Sequence, residues 1–263
     1  MNDATNNNNL GGPQGNTGDI NNWPMLKVIY RTDPDKIAAL LPPGLEVTQE
    51  PNVNVIIYNF PVPDVPEYGV LMTVNARYNG IDGEYTLGYG IDQESAIFIS
   101  QERNGQPKFP CETKFYRVGN KVVARCIHQG YTFIEFSGEA TAVAEHEADF
   151  TMHEWWIKSS RSVGVKPSVG FDFPPHVVHV QSQYGTQHRE QVTGQLKLLE
   201  SPWDPIATLL PMREQLSAHL WWPIFKDRQI ALAGKLDPGS FMPHADVISG
   251  SRWPGFMGGP KPD

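Results

Sequence analysis

QERNGQPKFP, residues 101–110, places a lysine between two prolines near the middle of the 263-residue sequence. Proline fixes its own backbone dihedral and biases the preceding residue towards extended geometry. Gln106 and Phe109 each precede a proline, so we expect Lys108 on a stiff, extended segment that a helix cannot easily use. A lysine held in this way can attack a carbonyl as an amine nucleophile and form a Schiff base. The alternative interpretation is a surface turn that carries a solvated lysine.

Other parts of the sequence, in the same order, resemble one known family. Residues 102–108, with the pattern Glu-x-x-Gly-x-Pro-Lys, look like the segment that carries the Schiff-base lysine in the acetoacetate decarboxylase superfamily. Four further segments resemble that family's first strand and turn, the end of its first helix, its next hairpin and its late loop. These segments are residues 26–33, 40–47, 78–85 and 201–211. The resemblance extends from about residue 19 to about residue 230.

The expected fold class is mainly β. Many short apolar segments are separated by Gly and Pro, and only one helix is predicted with a clear start, at Asp33-Pro34. This pattern favours an antiparallel sandwich or barrel. The resemblance implies an antiparallel, barrel-like double sheet with a few short helices, which assembles into homo-oligomers. Expected strands include 25–30, 53–60 and 216–221, a hairpin of 121–127 with 131–136, and a further pair, 177–184 with 192–199.

The chain is interpreted as a single domain, residues 19–248, between two irregular segments. Residues 1–18 are rich in Asn and Gly and lack the basic start and apolar centre of a secretory signal. We therefore expect a disordered leader and a cytoplasmic protein. Residues 249–263 are expected to be irregular, and their aromatic side chains are read as a packed anchor in preference to a lid.

Composition limits the partners that the protein can have. The net charge of −8 argues against a nucleic-acid partner. No apolar run reaches the roughly 18 residues that a membrane helix needs, so no membrane partner is expected.

The histidine pairs His146/His153 and His176/His179 lack a third ligand at metal-site spacing, so we expect no metal. No nucleotide fingerprint or other cofactor motif is found, and no cofactor is implied.

Lys108 must be neutral to attack a carbonyl, whereas the pKa of a free lysine is about 10.4. Burial of the ammonium or a neighbouring cation lowers such a pKa. Acetoacetate decarboxylase is an established example of a lysine activated by a second cation. In that enzyme the residue after the nucleophile is a second lysine, whereas here it is Phe109. We therefore expect a dry, apolar pocket, with Phe109 lining it, to lower the pKa of Lys108.

Further candidate site residues follow from the resemblance. The family places an arginine where this sequence has Trp23, and its strand glutamate falls near Glu67 and Tyr68. Side chains alternate along a strand, so either Glu67 or Tyr68 can point into the pocket, hardly both.

Three polar residues complete the candidate set. Asn104 occupies a position where family members that are not decarboxylases place a polar substrate-binding side chain, and Glu102 is a second candidate for this role. Arg31 can pair with a substrate carboxylate or form a structural salt bridge.

The sequence predicts a lyase that acts on a small oxo acid through a Schiff base on Lys108, with Glu67 or Tyr68 moving protons. Because Phe109 and Trp23 depart from the decarboxylase pattern, aldolase-dehydratase or hydratase chemistry is placed ahead of β-keto acid decarboxylation. A ligand-binding barrel on the same scaffold, without catalysis, is the alternative from another class.

Overall fold

The structure, a computed structural model, describes residues 24–60, 67–145, 147–164, 170–246 and 251–253. Within these residues the chain is strand-rich, with short helices between the strands. The strands are β1 Met25–Arg31, β2 Glu46–Val47, β3 Asn52–Phe60, β4 Glu67–Tyr78, β5 Ile81–Ile91, β6 Lys108–Pro110, β7 Glu112–Val118, β8 Lys121–His128, β9 Tyr131–Val143, β10 Phe150–Arg161, β11 Phe171–Leu198 and β12 Glu214–Lys235. The helices are α1 Pro34–Leu40, α2 Glu94–Asn104, α3 Ile206–Leu209 and α4 Pro238–Phe241, which a 3₁₀ turn, Met242–His244, follows.

Seven of the strands form a closed ring. The order of hydrogen-bonded neighbours is β10-β5-β4-β3-β1-β12-β11, and β10 also pairs with β11, which closes the circle. The long strand β11 then continues past the ring and pairs with β9, and β8 and β7 extend the sheet from there. Most pairings are antiparallel, but β5 pairs in parallel with both β6 and β10. The predicted mainly β, barrel-like fold is confirmed, with these two parallel pairings as an addition.

Alternating side chains of the ring strands enter separate apolar cores, of which two are large. On β3, Ile56 and Tyr58 belong to one core, whereas Val55 and Ile57 belong to the other. This alternation is the period-two pattern of a strand that is buried on both faces. The smaller core, which includes Tyr58, surrounds the cavity described below.

Most of the predicted elements are found, with two corrections. The first helix and the 121–128/131–143 hairpin are present, although the side chain of Asp33 forms no capping hydrogen bond and pairs instead with Arg213 at 2.6 Å. The expected pair of strands 177–184 and 192–199 is wrong, because both segments belong to the single strand β11. The paired strands at these positions are β10, β9 and β12.

Helix α2 was not predicted, although it precedes Lys108 directly. Only Ala96 and Ile97 of its apolar residues are buried, while Phe98 and Ile99 are each 63% exposed. The apolar residues are consecutive and do not recur with helical spacing, so the periodic signal of an amphipathic helix is weak. The helix occupies the start of the 101–110 stretch, and the extended geometry predicted for Lys108 begins only after it ends.

Some expectations concern residues outside the described ranges. The leader, residues 1–18, Trp23 and His146 lie there, as do residues 249, 250 and 254–263 of the tail. Of the tail residues that are described, Trp253 is fully buried and the Arg252 guanidinium donates to the carbonyl oxygen of Gly105 at 2.9 Å. This part of the tail packs against the domain. No helix within the described ranges is long and apolar enough to cross a membrane.

Gly105 ends α2 in the left-handed region, with φ of 68°. A Cβ atom there would lie 2.5 Å from the carbonyl oxygen of Ile157 and 2.5 Å from the Cα of Lys158, so β10 passes too close for any side chain. Only glycine therefore lets the chain leave α2 and enter β6 at this point.

We expect Gly105→Ala to lower the free energy of unfolding by more than about 2 kcal/mol, because the left-handed backbone alone costs L residues roughly 1–2 kcal/mol and the backbone clash adds to it. Gly80→Ala is the matched control. Gly80 has φ of 78°, but a Cβ there meets nothing within 4 Å. Chemical denaturation measures both variants. Equal losses for Gly105→Ala and Gly80→Ala would contradict the close approach of β10.

Candidate active site

Lys108 is buried, with only 4% of its surface exposed. It begins β6, which pairs in parallel with β5, so that Lys108 lies opposite Tyr89. Its Nζ lies 5.3 Å from the centroid of the Tyr89 ring. The main chain is fixed on both sides, since the Tyr89 amide donates to Pro107 at 2.9 Å and the Gln101 side chain donates to the Lys108 carbonyl. The solvated surface turn is therefore excluded.

The pKa of Lys108 is lowered from its ordinary value. Burial is the main cause, because it penalises the ammonium form. The guanidinium of Arg228 lowers the pKa further by repulsion, whereas Glu67 acts in the opposite direction. The expectation that desolvation alone would activate the lysine is therefore incomplete: a cation takes part, and it comes from β12 rather than from the next residue.

Glu67, and not Tyr68, is the buried residue of the pair, and its charge acts on Lys108. Its side chain is buried, and Oε1 accepts a hydrogen bond from the Tyr58 hydroxyl at 2.9 Å, while no hydrogen bond of Oε2 is found within the described ranges. Burial, followed by the charge of Glu67, raises the pKa of Tyr58, which therefore stays protonated and donates. Alternation along β4 directs Tyr68 to the opposite face, where it is half-buried.

A small cavity of about 30 Å³ lies beside the Tyr89 ring, and every strand of the closed ring contributes to its wall. Its polar side chains are three tyrosines, from β3, β5 and β11, together with one glutamine, one glutamate and one arginine. The lining residues are Met25, Ile56, Tyr58, Leu71, Tyr89, Gln106, Met152, Glu154, Trp156, Tyr184, Trp221 and Arg228. Apolar walls with a few convergent polar groups are typical of a small-molecule site.

Glu154 and Arg228 are site residues that sequence reasoning missed. Glu154 on β10 is buried and accepts a hydrogen bond from Thr86 at 3.3 Å. Burial raises the pKa of its carboxyl, and Arg228 acts in the opposite direction. Both residues come from long strands far from Lys108 in sequence, without a local motif, so only a view of the assembled ring could have revealed them.

Several predicted site residues are not brought to the cavity. Glu102 lies on the exposed side of α2, and Asn104 is the half-buried last residue of that helix. Arg31 is exposed and pairs with Glu214 at 2.6 Å, which corresponds to the structural salt bridge of the two alternatives considered. Trp23 lies outside the described ranges.

One histidine pair and one histidine–aspartate pair lie elsewhere. His153 and His179 are joined by a 2.8 Å hydrogen bond, and His128 contacts the Asp204 carboxylate through Nδ1 at 2.6 Å, with both groups buried. Among the described residues no cluster of three or more His, Cys, Asp or Glu side chains could hold a metal ion. Cys111 and Cys126 are buried and unbridged.

Comparison with known families gives a match over most of the sequence. The family model described as acetoacetate decarboxylase matches residues 9–236. This chain belongs to the acetoacetate decarboxylase family. Among individual relatives, the acetoacetate decarboxylase of Paraburkholderia phytofirmans is 36% identical over 91 residues, which is 33% of this chain and 35% of that protein. Acetoacetate decarboxylase 1 of Bradyrhizobium diazoefficiens is 29% identical over 154 residues, or 57% of this chain and 56% of that protein. The alignments therefore span between about a third and just over half of these relatives.

Solved structures with the same fold include decarboxylases and other enzymes. An acetoacetate decarboxylase structure superposes with a TM-score of 0.71 at 14% identity and covers 82% of this chain and 88% of its own. The enduracididine biosynthesis enzyme MppR gives 0.66 at 15% identity, with 81% and 86% covered. An acetoacetate decarboxylase-like enzyme of Sphingomonas wittichii gives 0.63 at 17% identity, with 82% and 91% covered. At these identities the likeness shows the fold alone.

In this member of the acetoacetate decarboxylase family, the residue after the lysine faces away from the cavity. Phe109 is fully buried in the larger core, with its ring centroid 4.8 Å from that of His128 and 6.5 Å from that of Phe133. Neighbouring residues on an extended strand point to opposite faces, so the ring lies behind the lysine rather than beside its amine. The expectation that Phe109 lines the cavity is therefore wrong, and its ring supports the strand instead.

We expect Phe109→Gln to lower the free energy of unfolding by roughly 3–5 kcal/mol, because it removes a packed ring and buries an amide without partners. Phe109→Leu keeps an apolar side chain and should cost about 1–2 kcal/mol. In the folded Phe109→Leu protein the pH dependence of Lys108 labelling should match that of the wild type. A clear change in this pH dependence would mean that the ring does act on the amine.

Proposed function

We propose that the protein is a lyase that binds a small oxo acid and forms a Schiff base between its carbonyl carbon and Lys108. The observation that carries the proposal is the buried amine of Lys108, whose pKa is lowered. The lysine belongs to a motif that resembles the Schiff-base segment of the acetoacetate decarboxylase family, to which the chain belongs. Because the amine is neutral at a lower pH than a free lysine, it can attack a carbonyl where most lysines cannot.

The proposed covalent step is balanced within the site. The nitrogen lone pair of Lys108 forms a bond to the carbonyl carbon. The carbonyl oxygen takes up one proton from the amine nitrogen and one from a general acid and leaves as water, and an iminium remains. The iminium then accepts the electron pair of the bond that breaks next to it, which gives an enamine that is later protonated and hydrolysed. Glu67, held by Tyr58, is the group that we assign to these proton transfers.

The bond that breaks after imine formation decides the reaction type. We place aldolase-dehydratase or hydratase chemistry first and decarboxylation of a β-keto acid second, since Trp23 and Phe109 stand where the decarboxylase has an arginine and a lysine. MppR, which shares the fold, has been solved in complex with pyruvate, with a TM-score of 0.60 at 15% identity. Homo-oligomeric assembly and a cytoplasmic location, expected from the sequence and the family, stay predictions.

The test of the Schiff base is trapping by borohydride. Incubation with pyruvate or acetoacetate followed by reduction should add the mass of the reduced adduct to Lys108 in the wild type. Lys108→Ala and Lys108→Arg should lose this adduct and reduce turnover by about a thousandfold or more, with unchanged melting temperatures. Lys114→Ala, which removes an exposed lysine of β7, is the control and should behave as the wild type. Full activity in folded Lys108→Ala would rule out the mechanism. A wild type that binds the ligand but forms no adduct and shows no turnover would instead favour the non-catalytic binding alternative.

The rate of trapping should also depend on pH in a defined direction. The neutral fraction of Lys108 rises as pH increases through its folded-state pKa, so the rate should rise and then level off. Because the pKa is lowered, the midpoint should lie below the value of about 10.4 for a free lysine. A midpoint at or above that value, measured from the initial rate of adduct formation, would contradict the proposed activation.

A further inference from the structure

Arg228 is a half-buried cation that hydrogen bonds hold in place and that, among the described residues, no ion pair neutralises. Its Nε donates to the Ser182 hydroxyl at 3.0 Å and its Nη2 to the Tyr184 hydroxyl at 2.8 Å, both on the neighbouring strand β11. The Cζ atom lies 5.1 Å from the centroid of the Phe225 ring. These contacts fix the plane of the guanidinium, and none of them carries a negative charge.

One edge of this guanidinium has no partner among the described residues. Within the part of the chain that the structure describes, no hydrogen bond of Nη1 is found and no carboxylate lies within ion-pair distance of Arg228. Glu154 shares the cavity wall with Arg228 and interacts with its charge, but burial raises the pKa of Glu154 and so favours its neutral form. A planar cation that lines a cavity, with donors to spare, is suited to bind a carboxylate through two parallel hydrogen bonds.

Arg228 lines the cavity beside which Lys108 lies, so its free N–H groups can bind the molecule that the lysine attacks. Arg228 and Tyr89 line the same small cavity, and the amine of Lys108 lies over the Tyr89 ring. A molecule in the cavity therefore lies against the ring that the amine of Lys108 also approaches, and against a fixed cation at another wall. An apolar cavity with two such groups selects a ligand that carries an electrophilic carbonyl and an anion on one short skeleton.

We propose that Arg228 binds the carboxylate of the oxo acid while the carbonyl carbon is bonded to Lys108, and so determines that the substrate is an anion rather than a neutral ketone or aldehyde. The inference rests on the proposed Schiff base and specifies its substrate class. The cavity volume of about 30 Å³ is far below the several hundred Å³ of ordinary ligand pockets, which favours a short oxo acid and requires lining side chains to move when it enters.

The contact between Arg228 and the carboxylate also influences which bond of the substrate breaks. A carboxylate that is paired with an arginine is stabilised in its charged form, and loss of carbon dioxide from that carboxylate would remove the ion pair. Arg228 therefore protects the carboxylate that it holds, and bond cleavage is directed to another position on the skeleton. This argument supports aldol or hydration chemistry over decarboxylation of the bound carboxylate.

The experiment compares pyruvate with methyl pyruvate, which has the same keto group next to a neutral ester. Borohydride trapping on Lys108 gives the half-saturating concentration of each probe for the wild type, Arg228→Gln and Arg228→Lys. Loss of the cation raises the pKa of Lys108 and slows trapping of both probes alike, so the ratio between the two probes isolates the contact to the carboxylate.

We expect Arg228→Gln to raise the half-saturating pyruvate concentration at least tenfold relative to methyl pyruvate, which corresponds to about 1.4 kcal/mol. Arg228→Lys keeps the charge without the fork and should give an intermediate ratio. Lys226→Gln is the matched control, because it removes an exposed cation two residues earlier on β12 that pairs with Asp149. Its ratio should equal that of the wild type.

The outcomes separate the two proposals. If the wild type traps pyruvate but the ratio is unchanged in folded Arg228→Gln, the role of Arg228 is overturned and the Schiff base stands. If Arg228→Gln does not fold, an unchanged ratio in Arg228→Lys overturns the role in the same way. If the folded wild type traps neither probe, the Schiff-base proposal itself fails and this inference fails with it.

Discussion

The removal of water from Lys108 is the constraint on which the site depends. An ammonium group is far more stable in water than in an apolar interior, so burying this side chain favours the neutral amine. The fold maintains that burial by backbone pairing, because β6 is locked in parallel to β5 with Lys108 opposite Tyr89. Gly105 allows the chain to turn from α2 into this strand. The free energy that drives deprotonation thus comes from the stability of the whole ring of strands, and not from the local segment.

Two charged groups near Lys108 shift its pKa in opposite directions, and each comes from a different strand. Arg228 on β12 disfavours the ammonium, while Glu67 on β4 favours it. Glu67 is itself tied to the Tyr58 hydroxyl on β3. Burial outweighs the charge of Glu67, so the pKa of Lys108 stays lowered with this carboxylate nearby, and Arg228 adds a smaller effect in the same direction as burial. A lysine with a lowered pKa and a buried carboxylate are therefore compatible within one small space.

The local features of the site could be predicted from the sequence, and the long-range ones could not. Two prolines restrict the backbone around Lys108, so its extended geometry was predictable, and alternation allowed the choice between Glu67 and Tyr68 to be stated in advance. The orientation of Phe109 follows from the same alternation, but the sequence does not say which face is the cavity. Arg228 is 120 positions from Lys108 in the printed sequence, and its approach depends on how β12 crosses the ring. No local pattern encodes such an approach.

The strand junctions of the ring differ in the number of residues that they pair. Strands β10 and β5 are joined at only two paired positions, Glu154 with Glu84 and Trp155 with Tyr85, whereas β10 and β11 pair along most of their shared length. Met152, near this short junction, lines both the inner cavity and a polar cleft on the outer surface. Separation of the barrel wall here would break fewer backbone hydrogen bonds than separation at β10 and β11. The junction between β10 and β5 is therefore held by fewer backbone pairings than its neighbour, and the side chain of Met152 separates the cleft from the cavity beside it.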